Sequence, residues 1–112
     1  MTNLQRLEME IEGISLTQEH LRVYLAENGL ISTNEYLSTS NTNKRSIYKS
    51  ALSILESIAN NPMLMKNYKL DDMTVSAFAE NLQSRIDQLE RKIRQMQNDD
   101  GNGESSYFML FQ

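Results

Sequence analysis

Residues 46–62 read S-I-Y-K-S-A-L-S-I-L-E-S-I-A-N-N-P and carry a wide apolar face. Their apolar side chains recur at spacings of three and four residues, which places them on one face of an α-helix. The helix must end before the Asn61–Pro62 pair, because a residue that precedes a proline is disfavoured in helical conformation. The face consists of Ile47, Ala51, Ile54, Leu55 and Ile58, with Tyr48 and Leu52 widening it. A stripe this wide predicts the central helix of a helical core.

Two shorter helices are predicted before this segment. The first carries one apolar stripe and ends near Gly13, since glycine commonly terminates helices. The second begins after Thr17, a good capping residue, and stops at the Asn28–Gly29 pair. Their apolar residues are Leu4, Leu7, Ile11 and Ile14 in the first helix and Leu21, Tyr24 and Leu25 in the second. Between Ile31 and Asn43 the chain turns to Ser, Thr and Asn, which predicts a loop.

Two helical segments are predicted after the central one. Asn61 and Pro62 suit the cap and first position of a short helix that carries Met63, Leu64, Met65 and Tyr68. The last helix begins near Thr74, and its apolar stripe continues for about six turns. The stripe is formed by Val75, Phe78, Leu82, Ile86, Leu89, Ile93 and Met96. Because a helix of roughly 22 residues is ~33 Å long, we expect part of this stripe to contact another chain.

The sequence divides into a helical domain over residues 1–97 and a tail over residues 98–112. Residues 98–106 read N-D-D-G-N-G-E-S-S, a composition too polar to bury apolar surface, which predicts a flexible acidic linker. The tail then ends in the apolar cluster Y-F-M-L-F at residues 107–111. This cluster either folds back onto the domain's own core or docks on a neighbouring subunit. The predicted class is all-α, a small bundle of about four to five helices with a long C-terminal helix.

Composition narrows the classes of function. The 112 residues include no Cys and one His, His20, which excludes disulfides, thiolate zinc sites and a cysteine nucleophile. The sequence has no Gly-rich phosphate loop and no G-x-S-x-G, H-E-x-x-H or E-x-x-H motif. We therefore expect no enzymatic activity, no small-molecule substrate, no cofactor and no metal. No apolar run approaches the ~20 residues of a membrane span, and a secretory signal is missing, so we expect a cytoplasmic location, in its own organism or in a host.

Charge is unevenly distributed along the chain. The net charge is -4, yet residues 1–40 carry two basic and six acidic side chains, whereas residues 41–70 carry five basic and one acidic. The basic cluster consists of Lys44, Arg45, Lys49, Lys66 and Lys69. A helix-turn-helix needs a tight connection, but roughly a dozen polar residues separate the second and third predicted helices. The cluster is therefore interpreted as a contact surface for a subunit or protein partner rather than for nucleic acid.

Four segments in this order resemble a known family: N-L-Q-R-L-E-M-E-I at residues 3–11, L-T-Q-E-H-L-R-V-Y-L-A-E-N-G-L at 16–30, the stretch at 46–62, and V-S-A-F-A-E-N-L-Q-S-R-I-D-Q-L-E-R-K-I at 75–93. The sequence is similar to the small all-helical head-to-tail connector (adaptor) proteins of tailed bacteriophages and prophages. The resemblance covers residues 3–96, and its most specific part is Y-L-A-E-N-G-L at residues 24–30 followed by the S-I-L-E-S-I-A-N helix at residues 53–60. The tail at 98–112 departs from the family's pattern.

The resemblance implies a structural protein of the virion that forms a ring beneath the portal of a DNA-filled capsid. Such a ring docks on the portal protein and carries downstream connector and tail proteins at the head–tail interface, after assembly in the host cytoplasm. No cofactor is implied. Since a head-to-tail ring needs two different complementary patches on each subunit, the acidic first part and basic middle are candidates. The candidate partner-binding residues are Lys44, Arg45, Lys49, Arg85, Arg91, Lys92, Tyr107, Phe108 and Phe111.

Two other functions stay open at this point. The protein is alternatively a dimeric assembly factor that pairs through the stripe at residues 75–96 as a coiled coil. Spacings of four and four between Phe78, Leu82 and Ile86 break the strict heptad pattern and disfavour it. The second alternative is a DNA-binding regulator that uses the basic segment at residues 44–69.

Overall fold

The computed structural model describes residues 1–68 and 73–96, apart from the side chain of Tyr68. Within these ranges the chain forms the helices α1 (Asn3–Glu10), α2 (Gln18–Glu27), α3 (Asn41–Ala59), α4 (Pro62–Tyr68) and α5 (Val75–Gln95). The predicted all-α class, the number of helices and the long last helix are confirmed. The predictions for the tail at residues 98–112 lie outside the described residues. None of the described helices is long and apolar enough to cross a membrane.

Capping side chains fix the beginnings of the helices. In each of α1, α2, α3 and α5 the capping hydroxyl accepts a hydrogen bond from the backbone N–H three residues later, which satisfies a free amide of the first turn. The four caps are Thr2, Thr17, Ser40 and Thr74. Ahead of α4, the side chain of Asn61 accepts from the amides of Met63 and Leu64. The caps predicted at Thr17 and Asn61 are confirmed.

Helix α3 begins inside the stretch that was predicted as a loop. The prediction extended the loop to Asn43, whereas α3 starts at Asn41. The difference has a physical reason, because the Ser and Asn residues that favour turns are also the residues that favour a helix cap. Ser40 serves as that cap, and its hydroxyl accepts from the amide of Asn43. The loop between α2 and α3 therefore ends at residue 40.

The core lies around α3, which packs against all four other helices. The predicted face of α3 is buried along its whole length, from Ile47 to Ile58. It packs against residues of three other segments: Leu7 and Ile11 from α1 and its C-cap, Leu21 and Leu25 from α2, and Leu82, Ile86 and Leu89 from α5. The α5 stripe from Leu82 to Ile93 is thus covered by the chain itself, so contact with another chain is left to its half-buried ends, Val75 and Phe78 at one end and Met96 at the other.

Gly29 ends α2 in a left-handed conformation, with φ of 80°. Its amide donates to the carbonyl of Ala26, and the next amide, of Leu30, reaches back to Leu25 at 2.9 Å. A Cβ at position 29 would meet no atom within 4 Å, so replacement by alanine costs only the backbone penalty. We expect Gly29→Ala to lower the free energy of unfolding by about 1 kcal/mol in urea titrations, and Gly29→Asn by less. Equal losses for alanine and asparagine would contradict this origin.

Candidate functional site

The candidate site is a shallow groove of about 310 Å³ where the start of α3 runs beside the end of α5. Its lining residues, which we call the basic groove, are Asn41, Lys44, Tyr48, Lys92, Gln95 and Met96. Lys44 and Tyr48 are four residues apart on α3 and so lie on one helix face, while Lys92 lies in the last turn of α5 and Met96 is the C-cap residue of that helix. The groove contains two lysines and no acidic lining residue. The charged side chains that line it are therefore all positive.

Tyr48 organises the positive charges around the groove. The Nζ atom of Lys92 lies 5.2 Å from the centre of the Tyr48 ring. The guanidinium carbon of Arg6 lies 5.8 Å from the same ring centre and 5.4 Å from that of Tyr36. Cations at these distances are attracted by the negative face of an aromatic ring. The aromatic ring therefore keeps the Lys92 ammonium at the groove and connects α1, α3 and α5.

Arg6 contacts the groove through the ring of Tyr48. Its Nη1 atom donates to Glu10 at 3.1 Å, and both side chains are mostly buried. Burial by itself lowers the pKa of Arg6, but the hydrogen bond to Glu10 and the contact with Tyr36 outweigh it, so the pKa lies above its ordinary value. The guanidinium consequently stays charged at every pH at which the protein would be studied.

Two of the predicted partner-binding residues have partners within the chain. Arg45 donates from Nε at 3.2 Å to the carbonyl of Ile93 in the last turn of α5, which also accepts from the amide of Met96. Arg85 donates to the backbone carbonyl of Glu10, and its guanidinium lies 3.6 Å from the Glu10 carboxylate. Both arginines thus fix α5 against the rest of the fold.

The other candidates lie elsewhere or outside the description. Lys49 is half-buried on α3, and Arg91 is exposed on α5, but neither lines the groove. Tyr107, Phe108 and Phe111 lie outside the described residues. Of the predicted set, the structure brings Lys44 and Lys92 together. The sequence pattern assigned Tyr48 to the core stripe and missed its contact with Lys92, because Lys92 is distant from it in sequence.

A second charged surface covers the outward side of α1. The residues of this acidic face are Met1, Gln5, Glu8, Met9 and Glu12, which line a depression of about 520 Å³. Its two carboxylates are exposed and face no basic lining side chain. The amino group of Met1 is itself paired with Glu35 at 2.9 Å. Met1 and Met9 are 51% and 58% exposed, so this surface combines negative charge with apolar area.

The described residues bring no three His, Asp or Glu side chains together as a metal site. A comparison of the chain with protein-family models, curated proteins and solved structures finds no match. The interpretation of the two charged surfaces therefore depends on their own geometry and on the sequence pattern.

Proposed function

We propose that the protein is a head-to-tail connector of a tailed bacteriophage or prophage, a structural subunit whose ring docks on the portal and links the DNA-filled capsid to tail components. The observation that carries the proposal is the position of the four resembling segments. They contain α1, α2 and the larger parts of α3 and α5. The resemblance is thus a resemblance between helices in the same order. Its partners are the portal protein, later connector or tail proteins, and further copies of the chain.

The separation of charge in three dimensions supports this proposal. A subunit of a ring contacts its neighbours through two different surfaces, since the same patch on both subunits would give a closed dimer. The basic groove and the acidic face share no residue and carry opposite charge. The chain therefore offers the kind of surface pair that a ring needs.

The burial of the α5 stripe weighs against the coiled-coil alternative. Leu82, Ile86, Leu89 and Ile93 are between 2% and 8% exposed, because α5 packs along α3. Pairing two chains through this stripe would require each chain to separate α5 from its own core. The DNA-binding alternative is weakened as well, because Arg45, one of its basic residues, is hydrogen-bonded to the carbonyl of Ile93.

The test is association with a portal protein encoded in the same genome. The full chain and a variant that ends at residue 105 are mixed with portal rings, and the mass of the complexes is measured by size-exclusion chromatography with light scattering. We expect the full chain to bind, and the shortened one to bind about tenfold more weakly or worse, since buried aromatic anchors contribute strongly to interfaces. Circular dichroism of both chains should show the same helix content.

The possible outcomes separate the candidate functions. A chain that forms only dimers and does not bind the portal would favour the dimeric assembly factor over the connector. Unchanged binding of the shortened chain would remove residues 106–112 from the mechanism and leave the connector proposal standing. Retention on DNA that falls steeply with salt, without portal binding, would favour the regulator.

A further inference from the structure

We infer that the basic groove of one copy binds the acidic face of the next copy, so that this pair of surfaces forms the contact between neighbouring subunits. The inference rests on the proposed function and names the two surfaces that the ring would use. The occupant of the groove is thus a second copy of this chain, presenting the outward side of α1.

The charges of the two surfaces match in number. The groove contributes Lys44 and Lys92, and the acidic face contributes Glu8 and Glu12, which are four residues apart and both exposed. The charged side chains that line each surface have one sign only, and the positive amino group of Met1, which also lies at the acidic face, is paired with Glu35 at 2.9 Å. Two lysines opposite two carboxylates give a contact that is neutral as a whole, and complementary potentials of this kind fix the orientation of partners.

The apolar residues of the two surfaces also match. Met9 and Met1 are more than half exposed on the acidic face, whereas Tyr48 and Met96 are half-buried in the groove. Methionine is unbranched and polarisable, so it fills irregular depressions and makes favourable contacts with aromatic rings. The expected contact therefore has methionine and tyrosine at its centre and the charged pairs around them, as in other protein interfaces.

The charges favour a head-to-tail contact over a symmetric one. In a symmetric dimer formed through the groove, the lysines of both copies would face each other in one interface. In a symmetric dimer formed through the acidic face, the glutamates of both copies would face each other. Like charges facing each other cost several kcal/mol. Pairing the groove with the acidic face avoids both clashes and leaves one free surface of each kind for the next copy.

Charge reversal tests the inference directly. The groove variant carries Lys44→Glu and Lys92→Glu, and the face variant carries Glu8→Lys and Glu12→Lys. Each variant alone is expected to lose self-association by on the order of 100-fold in light scattering across a concentration series. An equimolar mixture of the two variants should regain it, because each groove then meets a face of opposite charge. A chain that carries all four substitutions should also regain it.

Matched controls separate surface charge from folding. Arg22→Glu with Lys66→Glu makes the same change in net charge as the groove variant, at exposed positions outside both surfaces, and it should leave self-association unchanged. Because Lys92 contacts Tyr48, each variant is also checked for its helix content and unfolding midpoint. The mixture can regain association even if each variant is less stable than the original chain, so a small loss of stability does not obscure this result.

The results distinguish this inference from the connector proposal. If the original chain assembles and the reversals leave its mass unchanged, the inference is overturned, while portal binding still supports a connector. If the reversals and the mixture behave as expected but no variant binds the portal, the inferred contact between copies is supported and the connector proposal fails. The inference is also overturned if the chains stay monomeric alone, in the mixture and on the portal. It is overturned as well if the groove variant keeps its self-association and loses only binding to duplex DNA.

Discussion

Replacing Ile47 with alanine is expected to lower the free energy of unfolding by about 3 kcal/mol, within the range for truncating a fully buried isoleucine. The side chain is 0% exposed and lies on α3, the helix around which the core is built. Removing it deletes apolar contacts and leaves a cavity that neighbouring helices on several sides cannot fill. Since a domain of this size is stable by only about 5–15 kcal/mol, this one change removes a large fraction of the total.

Urea unfolding followed by circular dichroism measures this loss, with two controls. Ile47→Val deletes a single methyl group and should cost about 1 kcal/mol. Val23→Ala truncates an apolar side chain that is 51% exposed on α2, and it should stay within about 0.5 kcal/mol of the original chain. Similar losses at positions 23 and 47 would show that burial does not govern stability here.

The helices that could be predicted are those specified by neighbouring residues. The α3 face repeats every three to four residues, and Thr17, Gly29 and Asn61 act on atoms within a few positions of themselves. The beginning of α3 was misplaced because its signal is ambiguous locally. Ser40 and the asparagines after it suit a loop and a helix cap equally, and the packing of α3 decides between them.

The candidate site could be predicted only in part, for a related reason. Lys44 and Arg45 look equivalent in sequence, yet Lys44 lines the groove whereas Arg45 turns to the carbonyl of Ile93. The acceptor belongs to a helix almost fifty residues away, so no local pattern reveals it. Arg85 is similar, because Glu10, which accepts its hydrogen bond, lies near the other end of the chain. Charge placed the candidate residues on α3 and α5, and tertiary contacts decide which of them line the groove.

A pair of buried asparagines joins α1, the loop and α3. The Nδ2 atom of Asn43 donates to Oδ1 of Asn3 at 3.0 Å, and Oδ1 of Asn43 accepts from the amide of Leu37 at 2.8 Å. Asn3 in turn donates to the carbonyl of Ile31 at 2.9 Å. The two asparagines are 3% and 8% exposed, so water cannot readily replace these bonds.

Asn43→Ala is therefore expected to cost about 2 kcal/mol, because it leaves Oδ1 of Asn3 and the amide of Leu37 without their partner. Asn81→Ala, at an exposed position of α5, is the matched control and should change the unfolding free energy by less than about 0.5 kcal/mol. Asn3→Ala and the double variant complete a thermodynamic cycle. A coupling above about 0.5 kcal/mol between positions 3 and 43 is expected for a direct hydrogen bond, and strictly additive losses would contradict it.

The same asparagine pair links the two charged surfaces. Asn3 lies in α1, which carries most of the acidic face, and Asn43 lies next to Lys44 in the first turn of α3, at the basic groove. If the two surfaces bind neighbouring copies, their relative orientation sets the angle between subunits, and a ring closes only when that angle is fixed. Asn43→Ala should then yield a broader distribution of assembly masses than Asn81→Ala under conditions where both variants are fully folded. An unchanged distribution would show that the other contacts of α1 suffice to fix this angle.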